Sequence, residues 1–240
     1  MSDSRQISVE SQDNALASFL EDVAKTPLVR AKDQPGRIIF ALDATMSRAP
    51  TWAAARVVQG DMFAAAQTIG GLEVQVVFFR GQSEFRKSQW TPSAARLADK
   101  MSKVRCHGGL TQIERVLKHG QREAQIKDVQ AMIYVGDAVE ENADRLGDAA
   151  AQLALCNVKL FAFQEGKDER VEAIFRDLAR ITGGAYARFD ASSVATLKAL
   201  LRAVGVFASG GLGALKALSR SDPSASRLLE QLPNAGQDHA

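Results

Sequence analysis

Cysteine is nearly absent: Cys106 and Cys156 are the only two in 240 residues, and neither belongs to a CxxC pair. A disulfide scaffold is excluded on that ground, and two reduced thiols are expected. An excess of one charge is also missing. Thirty Lys and Arg against 28 Asp and Glu leave a formal net charge of +2. A dedicated binder of nucleic acid or of acidic membranes would show a clustered cationic excess, so neither partner is expected. The apolar runs read as strand-sized, well short of a bilayer span. Residues 1–21 hold no long apolar run behind a basic segment, so a secretory leader is not expected and the cytoplasm is the expected location. There is no internal repeat and no low-complexity tract.

What is present is an ordinary globular composition, 46% hydrophobic and 24% charged, long enough for one substantial core. Residues 1–35 read as a polar segment with a short helix through Leu16, Phe19, Leu20 and Val23. Residues 36–218 read as the folded domain, and 219–240 as a flexible tail in which Leu228, Leu229 and Leu232 mark a frayed helix or, as the alternative, a docking peptide. Ile38-Ile39-Phe40-Ala41-Leu42 is apolar without alternation, as in a strand covered on both faces. Trp52, Ala55, Val58, Met62, Phe63, Ala66 and Ile69 recur at helical spacing up to Gly70-Gly71. Leu72–Phe79 is a second strand, and Glu84–Trp90 its hairpin partner at a sheet edge, where Arg86 and Lys87 discourage further pairing. A helix then presents Leu97, Met101 and Val104.

From Thr111 onward, helices and strands alternate: Ile113–Leu117, Val129–Val135, Leu146–Leu153, Val158–Phe163, Val171–Leu178, Ala185–Phe189 and Val194–Val204. Gly210, Gly211 and Gly213 predict a short or loosely docked helix after that. This rhythm predicts an α/β fold, a three-layer open sheet that is mostly parallel with one antiparallel edge strand.

Open α/β sheets bind ligands at the carboxyl ends of their strands. Three loops predicted to lie there carry oxygen donors. The first strand runs into Asp43-Ala44-Thr45-Met46-Ser47. Val135-Gly136-Asp137 puts a second acid just past a buried strand. Gly108-Gly109-Leu110-Thr111 puts a hydroxyl at a helix start, with glycines that let backbone approach closely. Oxygen donors of this kind suit Mg²⁺ or Mn²⁺, and ligand type alone leaves Ca²⁺ open. The simpler alternative at each position is a turn or helix cap.

Taken in order, these residues resemble the von Willebrand factor type A family, its bacterial intracellular members more than the extracellular adhesion ones. That family's metal-ion-dependent adhesion site is a first strand ending in DxSxS, then a threonine before a helix, then an aspartate after the fourth strand. Asp43, Thr45, Ser47, Thr111 and Asp137 match it. Two departures are Thr45 in place of serine, which keeps the hydroxyl, and Leu110 between the glycines and Thr111. The resemblance spans about Arg37 to Val204, and Thr182–Tyr186 also fits. It implies direct metal ligation by Thr45 and Ser47, with Asp43 acting directly or through water. Thr111 and Asp137 would exchange direct for water-mediated contact. It further implies a protein partner offering Asp or Glu to the ion, and a binding module without turnover; oligomeric state is not specified.

The alternative is a metal-dependent phosphatase of the haloacid-dehalogenase type. Thr45 stands where that family carries its general acid, and a hydroxyl cannot serve as an acid near neutral pH. Four further features are read as structural. Cys106 is a buried thiol and His107 a loop histidine. His119 is expected to be exposed between charged positions of a helix. Glu140, Glu141 and Asp144 are expected to favour the dipole of the helix they precede or begin.

Overall fold

The computed structural model describes residues 34–44, 71–189 and 194–233. The predicted helices at 16–23 and 52–69 lie outside these residues. The chain divides into two units at Gln34 and Pro35, and the elements below all belong to the second.

Six strands form one sheet: β1 (Gly36–Asp43), β2 (Leu72–Arg80), β3 (Glu84–Lys87), β4 (Ala131–Gly136), β5 (Lys159–Glu165) and β6 (Ala185–Phe189). Their order is β3-β2-β1-β4-β5-β6. Every pairing is parallel except β2 with β3, the antiparallel edge. The helices are α1 (Ala94–Ser102), α2 (Ile113–Ala124), α3 (Ala143–Leu155), α4 (Glu169–Ile181), α5 (Val194–Ser219) and α6 (Pro223–Leu229).

The period-two alternation of β1 divides its side chains between two cores. Ile38, Phe40 and Leu42 join Leu97 and Met101 of α1, Leu197, Leu201 and Val204 of α5, and Leu228 of α6. Ile39 and Ala41 join Ile113, Val116 and Leu117 of α2, Leu146 and Leu153 of α3, and Phe175 of α4. Burial on both faces is why β1 reads as an unbroken apolar run. The expected three-layer α/β sheet with one antiparallel edge is the observed fold.

Two expectations about the C-terminal part are corrected. The segment beyond Val204 is neither short nor loose. α5 runs 26 residues and is long and apolar enough, by length and composition, to cross a bilayer, against the expectation of strand-sized runs only. Its apolar residues serve the sheet core, where Leu201, Val204, Phe207 and Leu215 are buried. A kink at Gly211 (φ 69°, ψ −164°) turns the chain, using backbone angles open to glycine alone. Residues 219–233 are not a tail. Asp222 caps α6 through Ser224 and Ala225, and Ala225, Leu228 and Leu232 are buried. Gln231 then completes the outer edge of β6: its Oε1 accepts the Tyr186 N–H at 2.9 Å, and its Nε2 donates to the Tyr186 carbonyl at 2.9 Å. One amide side chain thus occupies both backbone groups of Tyr186 on the outer edge of β6.

Candidate metal centre

The chain leaves β1 toward β2 and β3 on one side and returns to β4 on the other. β1 and β4 are therefore the neighbours between which the winding reverses, the place where open sheets leave a crevice. Asp43 is the last residue of β1 and Asp137 follows the last residue of β4. Leu42 pairs with Val135, so the two acids end adjacent parallel strands with Asp137 one residue farther along. Asp43 is 1% exposed. Alternation puts it on the same face as Ile39 and Ala41, the face that α2 covers.

Thr111 approaches along a loop that has no regular structure but several anchors. His107 N–H donates to the Ala44 carbonyl at 3.0 Å, directly beyond Asp43. The Arg80 guanidinium donates to the Arg105 carbonyl. Gly109 lies against the backbone of Gly81, so close that a Cβ there would come within 2.2 Å of the Gly81 carbonyl oxygen. Gly108 meets no such neighbour, so only one of the two glycines is needed for close approach. Arg115 donates to the Ser83 carbonyl at 2.9 Å, tying the first turn of α2 to the same β2–β3 turn.

Thr111 itself is buried and bound reciprocally to the loop that carries Asp137. Its N–H donates to Glu140 Oε2 at 2.6 Å, while its Oγ1 accepts the Glu140 N–H at 3.2 Å. The next acid caps the helix. Glu141 Oε2 accepts the Ile113 N–H at 2.6 Å and Oε1 accepts the Glu114 N–H at 2.9 Å. Gln112, the residue in the cap position, makes no side-chain bond to these groups. The expectation that Glu140 and Glu141 serve their own helix is therefore corrected. Glu141 caps α2 and Glu140 holds Thr111 just before it, while α3 is capped by Asn142. Nothing local in the sequence marks a cap placed 27 and 28 residues from the groups it binds.

His119 is corrected as well. It is buried, with Nε2 2.7 Å from Gln75 Oε1 and its ring edge-on to Phe85. Burial lowers its pKa to about 4, against an opposing pull from Glu123. Glu123 accepts bonds from Lys87 Nζ at 2.7 Å and Trp90 Nε1 at 2.9 Å. Burial works to raise the Glu123 carboxyl, and those two bonds outweigh it and leave it low. The signal was present: His119 lies three residues after Val116, on the apolar face of α2.

Asp43 thus ends β1, Asp137 follows β4, and Thr111 is bound to the loop that carries Asp137, while Thr45 and Ser47 lie outside the described residues. Among the described residues no group of three or more His, Cys, Asp or Glu is placed to hold a metal ion. A cation at this edge would rest on two carboxylates supplemented by hydroxyls, an all-oxygen donor set that fits Mg²⁺ or Mn²⁺. Cys106 packs against the α5-side core whereas His107 is exposed, so their surroundings are separate.

No family model and no curated protein matches the chain in sequence. Solved structures do match in fold. The chain is similar to a von Willebrand factor type A protein from Catenulispora acidiphila, with TM-score 0.59 and 19% identity over 74% of this chain and 43% of that one. It is similar to the vWF domain of the type V pili tip protein Mfa5 from Porphyromonas gingivalis, with TM-score 0.52 and 10% identity over 71% of this chain and 94% of that one. The SpRpn10 VWA domain matches with TM-score 0.55 and 10% identity over 68% and 95%. The chain thus spans under half of the first and nearly all of the other two. At these identities the likeness establishes the fold, which is that of a von Willebrand factor type A domain.

Proposed function

We propose that this chain is a protein-interaction module that captures a partner's Asp or Glu through a divalent ion held by Asp43, Thr45, Ser47, Thr111 and Asp137. The observation that supports the reading is that Asp43 ends β1 and Asp137 follows β4, the neighbouring strands between which the winding reverses, while Thr111 is hydrogen-bonded to the loop after Asp137. Bound Mg²⁺ or Mn²⁺ would supply positive charge and an exchangeable coordination position for the partner's carboxylate. Asp43 and Asp137 would balance that charge. Thr111 would offer a hydroxyl whose rotamer is set by the Glu140 N–H. The rigid strand ends beneath would hold these donors in place whether or not a partner is present. One of the proteins similar in fold is a pilus tip protein, which agrees with a binding role. The reading also takes the module to be cytoplasmic, in keeping with Cys106 and Cys156 forming no disulfide.

The test is capture from the protein's own cell extract, with Mg²⁺ and with chelator, by wild type and Asp43→Ala side by side. Proteins retained only with metal and only by intact Asp43 support the ion bridge. Equal retention by both proteins in chelator contradicts it.

A further inference from the structure

Beside Thr111, along the outer side of α2, runs an open cleft of about 410 Å³. Arg115, Lys118 and Arg122 line it at spacings of three and four residues, so they form one ridge on the helix. All three are exposed. Two acids share the cleft, and both are already committed. Glu141 is turned onto the helix backbone. Glu114 is held by Lys118 at 2.6 Å and by Arg145 at 2.8 Å, and the Lys118 ammonium keeps its carboxyl below the usual range. Arg115 stacks over Phe85 and spends one nitrogen on Ser83 and Gln112, which leaves its charge and its other donors outward. Arg122 has no ion-pair partner among the described residues. Lys118 is thus itself paired, but it shares the single Glu114 carboxylate with Arg145, so with Arg115 and Arg122 the cleft keeps a surplus of positive charge although the chain as a whole is near neutral.

We infer that the partner segment is an acidic peptide, whose ion-binding carboxylate is followed by further Asp or Glu residues that lie along Arg115, Lys118 and Arg122. This rests on the ion-bridge reading for the first carboxylate, and charge complementarity selects the rest. Arg115 to Arg122 spans roughly 10 Å of helix at 1.5 Å per residue. An extended peptide covers that in about three residues at roughly 3.3 Å each. The additional acids thus fall within about three residues of one another. A run of this kind would also be steered toward the site, since the ridge leads from solvent to Thr111.

The experiment uses fluorescein-labelled decapeptides and anisotropy at low and high salt. One probe carries a single Glu in a Gly/Ser background; the other carries that Glu followed by three Asp within the next five residues. The proteins are wild type, Asp43→Asn, and the double variant Lys118→Gln/Arg122→Gln. A carboxylate about 6 Å from each lost cation implies roughly 3-fold per charge in water-like dielectric, so about 10-fold for the double variant. Both probes are expected to need Mg²⁺ and Asp43. The acidic probe should bind about 10-fold tighter than the single-Glu probe at low salt, and the double variant and high salt should both erase that preference. Equal binding of the two probes, with dependence on metal and Asp43 intact, would overturn the acidic-segment inference and leave the ion bridge standing. A preference for the acidic probe that persists in Asp43→Asn and in chelator would keep the ridge and remove the ion bridge. Binding of neither probe would remove both. A labelled single-stranded oligonucleotide that binds as tightly as the acidic probe would overturn the assignment to a peptide.

Discussion

Replacing Glu141 with Ala should weaken the fold more than any nearby surface acid. Its carboxylate accepts the N–H groups of Ile113 and Glu114, the first two of α2, at 2.6 and 2.9 Å. Helix starts leave these donors without intrahelical partners, and Gln112 supplies no substitute. Removing a capping side chain costs about 0.5–2 kcal/mol, and hydrogen bonds to charged groups contribute about 1.5–3 kcal/mol. Glu141 is only partly buried, so water can reach the two exposed N–H groups and offset part of the loss. The expected cost is therefore about 1.5–3 kcal/mol, or roughly 3–10 °C in Tm for a domain of this size. Glu141→Gln should fall between, because one amide oxygen can accept only one of the two bonds well. Asp144→Ala, an exposed acid in the first turn of α3, should change stability by less than about 0.5 kcal/mol. Urea denaturation of the four proteins at neutral pH decides the matter. A Glu141→Ala midpoint indistinguishable from wild type would refute the capping account.

Two further expectations follow from His119 and Gln231. His119 has its pKa lowered to about 4 in the fold, chiefly by burial. Its unfolded value is about 6.5, so the unfolded chain binds the proton first as pH falls. Its contribution is fully present above about pH 6.5 and is lost downward toward pH 4, at roughly 1.4 kcal/mol per unit, or about 3 kcal/mol in all. Urea midpoints of wild type and His119→Gln between pH 7 and 5 should show the extra acid sensitivity in wild type only; parallel profiles would contradict it. Gln231→Ala should cost about 1–2 kcal/mol, since it removes both bonds to Tyr186. Hydrogen exchange at the Tyr186 amide should rise with it, and unchanged protection there would show that the amide does not seal the edge.

The sheet was legible because burial on both faces writes itself as unbroken apolar runs, and helices of one apolar side write themselves at spacings of three and four. The strand ends at Asp43 and Asp137 were legible for a related reason: an acid interrupts an apolar strand abruptly at each. What was hidden depends on contacts distant in sequence. Glu140 and Glu141 look like acids beginning their own helix until the fold brings α2 beside them. Gln231 looks like part of a polar tail until β6 offers it one N–H and one carbonyl. His119 was misjudged from its charged neighbours although its helical spacing from Val116 pointed inward. Small and polar residues around Ala225 and Leu228 likewise concealed a docked helix, because only a few apolar side chains are needed when a cap such as Asp222 starts the turn.

The central claim is that Asp43 and Asp137 serve a bound cation more than they serve the fold. Isothermal titration of Mg²⁺ and Mn²⁺ into wild type, Asp43→Asn and Asp137→Ala tests it most directly, with metal-free urea midpoints taken on the same samples. Asp137 lies at the sheet edge and its loss opens no apolar cavity, whereas a loop-holding carboxylate would cost roughly 1.5–3 kcal/mol when removed. The account predicts one saturable site per chain in wild type, a metal-induced rise in Tm that follows from binding the native state alone, and loss of both in each variant at near-equal metal-free midpoints for Asp137→Ala. No saturable binding by wild type at millimolar ion, or a large metal-free loss of stability in Asp137→Ala with binding preserved, would contradict it.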